Sequence, residues 1–251
     1  MTKARKIHIG EVFKTKSSGD ATVLLYTDAS HILVEFSDGS TKVVRAGHLR
    51  SGAIKNNYDR CVCGIGFVGE GSHATFHNGK HTRAYNAWYN MLDRCYNSKR
   101  QQIQPTYKGI SVCAEWHNFQ NFAEWFDGQK CTYSTWQLDK DLTVIGNCIY
   151  SPDTCALIPQ EVNLVLGKNS ANRGSCLIGV CRTSGDKFSA QCSTGYGHSR
   201  TLGVFDSEQE AFNCYKSHKV IAVRNLANKW KDVLPNKVYE NLMNFSVTTS
   251  D

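Results

Sequence analysis

The sequence predicts an α+β architecture in three successive parts: a small N-terminal β barrel, a central α+β domain with aromatic helices, and a C-terminal three-stranded antiparallel sheet plus helix. Three observations lead there. Residues 1–57 hold four short strand-like runs separated by turn signals. Residues 58–169 hold two helical segments striped with aromatic side chains. Residues 170–251 hold three strand-like runs followed by a capped amphipathic helix.

In the first part the runs are Glu11–Lys14, Ala21–Thr27, His31–Phe36 and Thr41–Arg45. Turns are expected at Ser18-Gly19-Asp20, Asp28-Ala29-Ser30 and Asp38-Gly39. Strands this short need closure or a second sheet, and a small barrel is the economical solution. Such a module either binds a ligand or supports its neighbour. Lys3, Arg5 and Lys6 precede it as a loose basic arm.

The second part opens with the glycine-rich run CVCGIGFVGEG, residues 61–71. A phosphate cradle needs a helix directly after the glycines, whereas His73–Gly79 reads as hairpin or loop, so a dinucleotide fingerprint is rejected. A helix is expected over Thr82–Tyr96, with Tyr85, Trp88, Met91, Leu92 and Cys95 on one stripe. A second, Ala114–Phe126, presents Trp116, Phe119, Phe122 and Trp125. Stripes of this kind read as core.

In the third part Leu177–Arg182, Lys187–Cys192 and Arg200–Phe205 read as strands joined at Ser184-Gly185-Asp186 and Gly195–Gly197. Ser207 and Glu210 have capping-box spacing at the start of a helix, and Asn236–Val247 is expected to be another short helix.

Composition narrows the function. The chain has 251 residues, 41% of them hydrophobic, and only four prolines, which argues against disorder. No run approaches the roughly 20 apolar residues of a membrane span, and the N-terminus has no signal-peptide core. A soluble cytoplasmic protein with no membrane partner is expected. Eleven cysteines, an odd number at irregular spacings, point to free thiols or metal ligands rather than a disulfide framework. Residues 1–57 carry nine Lys/Arg against five Asp/Glu, and residues 168–231 carry ten against four, while the middle is nearly neutral. Two basic ends suit a polyanionic partner or a solvated surface.

The third part resembles the Apetala-type (integrase-type) DNA-binding domain. The resemblance rests on Gly179-Val180, Gly185, Lys187-Phe188, Ala190-Gln191, Leu202-Gly203-Val204-Phe205 and Glu210-Ala211. In that family the sheet lies in the major groove, which admits a β-ribbon. The resemblance implies Arg182, Lys187, Gln191, Ser193 and Arg200 as contacts to double-stranded DNA, with RNA ranked below it. Arg is frequent in the family at the positions of Cys181 and Ser193, and Trp at Thr201, so base preference does not transfer.

The whole chain is similar to phage proteins of the HNH (His-Me finger) endonuclease type. YNAWYNMLDRCYN (residues 85–97), SVCAEWHNFQNFAEWF (111–126) and QLDKDLTVIGNCIYSPDTCALIPQEVN (137–163) carry the similarity. It implies a central HNH-like ββα-metal hairpin and a place in the cytoplasm of an infected bacterial host. In that chemistry a histidine deprotonates water and one Mg²⁺ or Mn²⁺ stabilises the leaving oxygen. The resemblance puts the metal carboxylate at Asp139, the base at Lys140, the orienting asparagine at Asn147 and the helix metal ligand at Asn163. A lysine with its ordinary pKa near 10.4 is a phosphate clamp rather than a base. Asp141 or an off-motif histidine (His73, His77, His81, His117) is the substitute. Structural zinc on Cys95, Cys113 and Cys155, which lie in the motif blocks, is weighed against free buried cysteine. The leading expectation is a duplex-DNA-binding protein with metal-dependent phosphodiester hydrolysis. Its rivals are a non-enzymatic DNA-binding regulator and a factor that inhibits a host protein.

Overall fold

A computed structural model describes residues 5–129, 135–167, 175–193 and 198–249. Lys3 of the basic arm, Cys131, the turn expected at Gly195–Gly197 and the boundary between residues 169 and 170 lie outside the described residues. Two compact units emerge, Met1–Thr106 with Ala114–Glu124, and Tyr107–Cys113 with Trp125–Asp251.

In the first unit, strands β1 (Val12–Lys14), β2 (Asp20–Asp28), β3 (His31–Phe36) and β4 (Thr41–Val44) form an antiparallel sheet in that order. Alternation along the strands sends Ala21, Val23, Ile32, Val34 and Val44 to one face. There helix α1 (Ala46–Arg50) adds Ala46 and Leu49, and Ile7 and Ile54 complete the cluster. The expected barrel does not form. The sheet is an open meander, with β1 and β4 as unpaired edges. Closure would need those two edges to share a ladder, and they are only three and four residues long. The short helix covers the apolar face instead. On the other face Leu25, Leu33 and Val43 stand in register across three strands.

Beyond the sheet, β5 (Phe76–His77) and β6 (Lys80–His81) form a hairpin around Asn78-Gly79, both at positive φ. Helix α2 (Arg83–Tyr96) starts where the Thr82 hydroxyl accepts the Tyr85 N–H, and α3 (Ser98–Ile103) starts where the Asn97 side chain caps it. A 3-10 turn, Ala114–His117, leads into α4 (Phe119–Gly128). The aromatic stripes are core, as expected. Trp88 Nε1 donates to the Trp116 carbonyl at 2.7 Å, Trp88 meets Phe119 at 5.5 Å and Trp116 meets Phe122 at 5.0 Å between centroids. The glycine-rich run is packed beneath these groups. A Cβ at Gly66 would sit 2.4 Å from Leu92, one at Gly69 2.1 Å from Asn118, and one at Gly71 2.3 Å from Gln120. Those glycines serve close approach rather than phosphate.

In the second unit β7 (Ser111–Val112) runs parallel to β9 (Ile149–Tyr150), and β8 (Trp136–Asp139) pairs antiparallel with β10 (Ala156–Pro159). Helix α5 (Gln160–Leu166) follows β10 directly, giving a ββα arrangement. Strands β11 (Val180–Arg182), β12 (Phe188–Ser193) and β13 (Ser199–Phe205) form an antiparallel sheet. The 22-residue helix α6 (Glu208–Lys229) then begins on the expected Ser207–Glu210 capping box, and α7 (Asn236–Met243) ends the described fold.

Helix α6 serves two cores. Its first half packs Ala211, Phe212 and Tyr215 on Ile178, Val180, Ala190 and Cys192 of the sheet. Its second half packs Val223 and Ala227 on Ala156, Ile158, Val162 and Val165 of the ββα element and on α7. Among the described residues no helix is long and apolar enough to cross a membrane.

Gly179 sits at φ +76° where a Cβ would lie 2.2 Å from the Tyr215 ring. Gly179→Ala is therefore expected to cost about 2–5 kcal/mol, from left-handed strain plus overpacking. Gly185→Ala, with nothing within 4 Å, should stay within about 0.5 kcal/mol in the same urea melts.

Candidate nuclease-like hairpin and nucleic-acid interface

Strand β8 alternates, with Trp136 and Leu138 buried and Gln137 and Asp139 on the less buried side. Its register places Asp139 opposite Ala156 and Gln137 opposite Ile158. The loop between β8 and β9 is short of regular structure, and side chains hold it in shape.

Asp139 Oδ1 accepts the backbone N–H groups of Asp141 at 2.9 Å and Leu142 at 2.8 Å, an Asx-type turn. Burial pushes its pKa above the ordinary carboxylate value, and the two N–H donors pull the other way without cancelling it.

Lys140 is 9% exposed, so its cation is almost wholly removed from water. The ammonium donates to the Asp141 carboxylate and, at 3.0 Å, to the Asn147 carbonyl. Asn147 closes the same loop from the other side. Its amide donates to the carbonyls of Lys140 at 3.0 Å and Ile149 at 2.6 Å, and its oxygen accepts the Ile149 N–H. Asn163, on α5, donates to Gln137 Oε1 at 2.6 Å.

The structure thus gathers Asp139, Lys140, Asp141 and Asn147 in one loop and sets Asn163 against the strand that leads into it. Each is engaged within the hairpin. The donor set fits a divalent cation poorly. One Asp139 oxygen is committed to backbone N–H groups, the Asp141 carboxylate is paired with the Lys140 ammonium, and that cation would repel Mg²⁺, which wants carboxylate and phosphate oxygens in octahedral array. Among the described residues no group of three or more His, Cys, Asp or Glu side chains is placed to hold a metal ion. Of the cysteines weighed for zinc, Cys95 and Cys155 are buried and Cys113 half-buried. Burial pushes the Cys155 thiol up to about 12, which opposes the thiolate that zinc binds. The histidines named as substitute bases belong to the first unit, with His77 and His81 on the β5–β6 hairpin and His117 against the Tyr96 ring.

The C-terminal sheet distributes its candidate contacts unevenly. Arg182 pairs with Asp186 at 3.8 Å and lies over the Phe188 ring. Lys187 pairs with Asp206 at 2.8 Å, a contact that raises its pKa. Gln191 and Ser193 line a cavity of about 110 Å³ together with Tyr215 and the buried Lys219. The Ser193 hydroxyl also donates to the Leu164 carbonyl at 3.4 Å. Arg200 is exposed and forms no ion pair among the described residues.

Two groups escaped the reading of the sequence. One is Lys219, a buried cation on a helix face that otherwise alternates normally. The other is the stretch from Gly39 to Tyr58, which holds Lys42, Arg45, Arg50 and Lys55 and no carboxylate. Its signal was present and was averaged into the charge of the whole N-terminal part. No protein-family model, curated protein or solved structure matches the chain.

The Asp139 shift gives a pH test. Its folded pKa lies above 3.8, so the native state holds the proton longer than the unfolded chain. Stability therefore falls as pH rises from about 4 through the folded pKa, and the penalty is complete above it. Asp139→Asn keeps the acceptor for both N–H groups and removes the charge. It is expected to melt higher than wild type at neutral pH, with the gap closing as the pH drops to about 4. A variant less stable than wild type at neutral pH would show a net favourable role for the carboxylate charge.

Proposed function

We propose that the protein binds duplex DNA through its basic N-terminal and C-terminal parts and does not cut it, the nuclease-like hairpin having become a structural joint. One observation carries the reading. At the base position stands a buried lysine whose ammonium is held by the Asp141 carboxylate and the Asn147 carbonyl. A general base must offer a free lone pair to a water, and this group offers none. Asp141, the substitute on the motif, is the lysine's ion-pair partner. The support for DNA is electrostatic: nine Lys/Arg against five Asp/Glu in residues 1–57, and ten against four in residues 168–231. The Apetala-type resemblance of the C-terminal sheet gives that charge a geometry for the major groove, with Arg200 a candidate contact that forms no ion pair among the described residues.

A plasmid assay with Mg²⁺ and with Mn²⁺, run beside a gel shift, tests both halves. Retarded DNA with no nicking is expected. Each neutralised phosphate should add about −0.9 to the slope of log affinity against log salt. Nicking that disappears in Asp139→Ala would restore the nuclease. Affinity that vanishes near physiological salt would favour a protein target instead.

A further inference from the structure

We infer that the groove between β4 and the chain following α1 seats the sugar–phosphate backbone of duplex DNA. This rests on the DNA-binding reading above and gives it a place in the first unit. The groove has a volume of about 440 Å³, and its lining includes Ser30, Lys42, Val43, Arg45, His48 and Lys55. Three of its lining residues are Lys or Arg, one is histidine, and none is a carboxylate.

The cations are not spent on each other's neighbours. Arg45 and Lys55 are exposed and form no ion pair among the described residues. Lys42 is half-buried, and its ammonium donates to the Lys55 carbonyl at 2.8 Å and to Asn57 Oδ1 at 2.7 Å. Both acceptors are neutral, and Glu70 is close enough for its charge to act on the ammonium. Burial lowers its pKa while the charge of Glu70 raises it. The contrast with the C-terminal sheet is direct, since Arg182 and Lys187 each already face an aspartate.

Exposed cations along a concave wall, here Arg45 and Lys55, focus potential and raise the local concentration of a polyanion. An acidic peptide is the competing occupant. Peptide recognition takes an apolar or aromatic anchor in a pocket, and the exposed apolar lining here is limited to Val43 and Ala53. A phosphodiester chain asks only for spaced cations and hydroxyl or amide donors. Contacts of this kind carry no base information, so the groove supplies affinity and register rather than specificity.

Fluorescence anisotropy of the full chain with a labelled duplex of about 20 base pairs, titrated from about 50 to 300 mM salt, tests the site. The double variant Arg45→Gln/Lys55→Gln is expected to weaken binding about tenfold or more. Its log–log slope should become shallower by about 1.8, equally on unrelated sequences. Lys99→Gln/Lys237→Gln removes the same net charge from exposed positions outside the groove and should leave the slope close to wild type. Melting curves of both variants confirm that the exposed substitutions leave the fold intact. If wild type binds and the groove variant matches it, the groove assignment fails while the DNA reading stands. If wild type shows no salt-dependent DNA binding, the reading itself fails and takes the groove with it. Displacement of the duplex by poly-glutamate or by single-stranded RNA at lower concentration than by unlabelled duplex would also overturn the assignment.

Discussion

The second unit depends on how the end of α5 meets α6. The last carbonyls of a helix lack intrahelical partners and carry its negative pole. Here the Lys219 ammonium, on α6 and 4% exposed, donates to the Val165 carbonyl, and the Ser193 hydroxyl reaches the Leu164 carbonyl from β12. Burial lowers the lysine's pKa, a measure of what its position costs. Among the described residues it has no carboxylate partner, and the helix end accepts from the buried ammonium. An uncompensated ammonium at this depth costs several kcal/mol, and the carbonyl end of α5 supplies an acceptor for it. The contact fixes where the ββα element sits relative to the three-stranded sheet.

That junction explains why one helix serves two cores. Tyr215 faces the sheet and Val223 faces the ββα element, with Lys219 one helical turn from each. At the far end Glu161, in the first turn of α5, accepts from the Trp230 indole and the Lys229 ammonium, and Trp136 meets the Trp230 ring edge-on at 5.8 Å. The ββα element is thus fastened to α6 at both ends of α5.

Much of the architecture was legible because local signals agreed with the packing. The Ser207–Glu210 capping box, the hairpin that starts within His73–Gly79 and the stripe of Trp88, Met91, Leu92 and Cys95 stand where turn chemistry and periodicity place them. The barrel was misjudged for a specific reason. Strand length and turn spacing say that a sheet face needs covering, but not by what, and five residues of α1 cover it. Lys219 was illegible because a lysine on an amphipathic helix reads as solvent-facing unless the partner helix end is known. The groove cations were legible as a run without acids, yet only the fold shows that Lys42, Arg45 and Lys55 line one concavity.

The hairpin was harder, because the residues that resemble catalytic machinery are the ones best suited to hold a loop. An aspartate followed by exposed N–H groups makes an Asx turn, and Asp139 does. An asparagine in a loop bonds backbone on both sides, and Asn147 does. A lysine can reach across a loop to a carbonyl, and Lys140 does so with Asp141 balancing its charge. Asn163 finds Gln137. Position 140 is almost wholly removed from water. With lysine the same position delivers a cation that must be neutralised internally, and Asp141 together with the Asn147 carbonyl performs that neutralisation. Lys140, Asp141 and Asn147 are thereby engaged with one another within the loop.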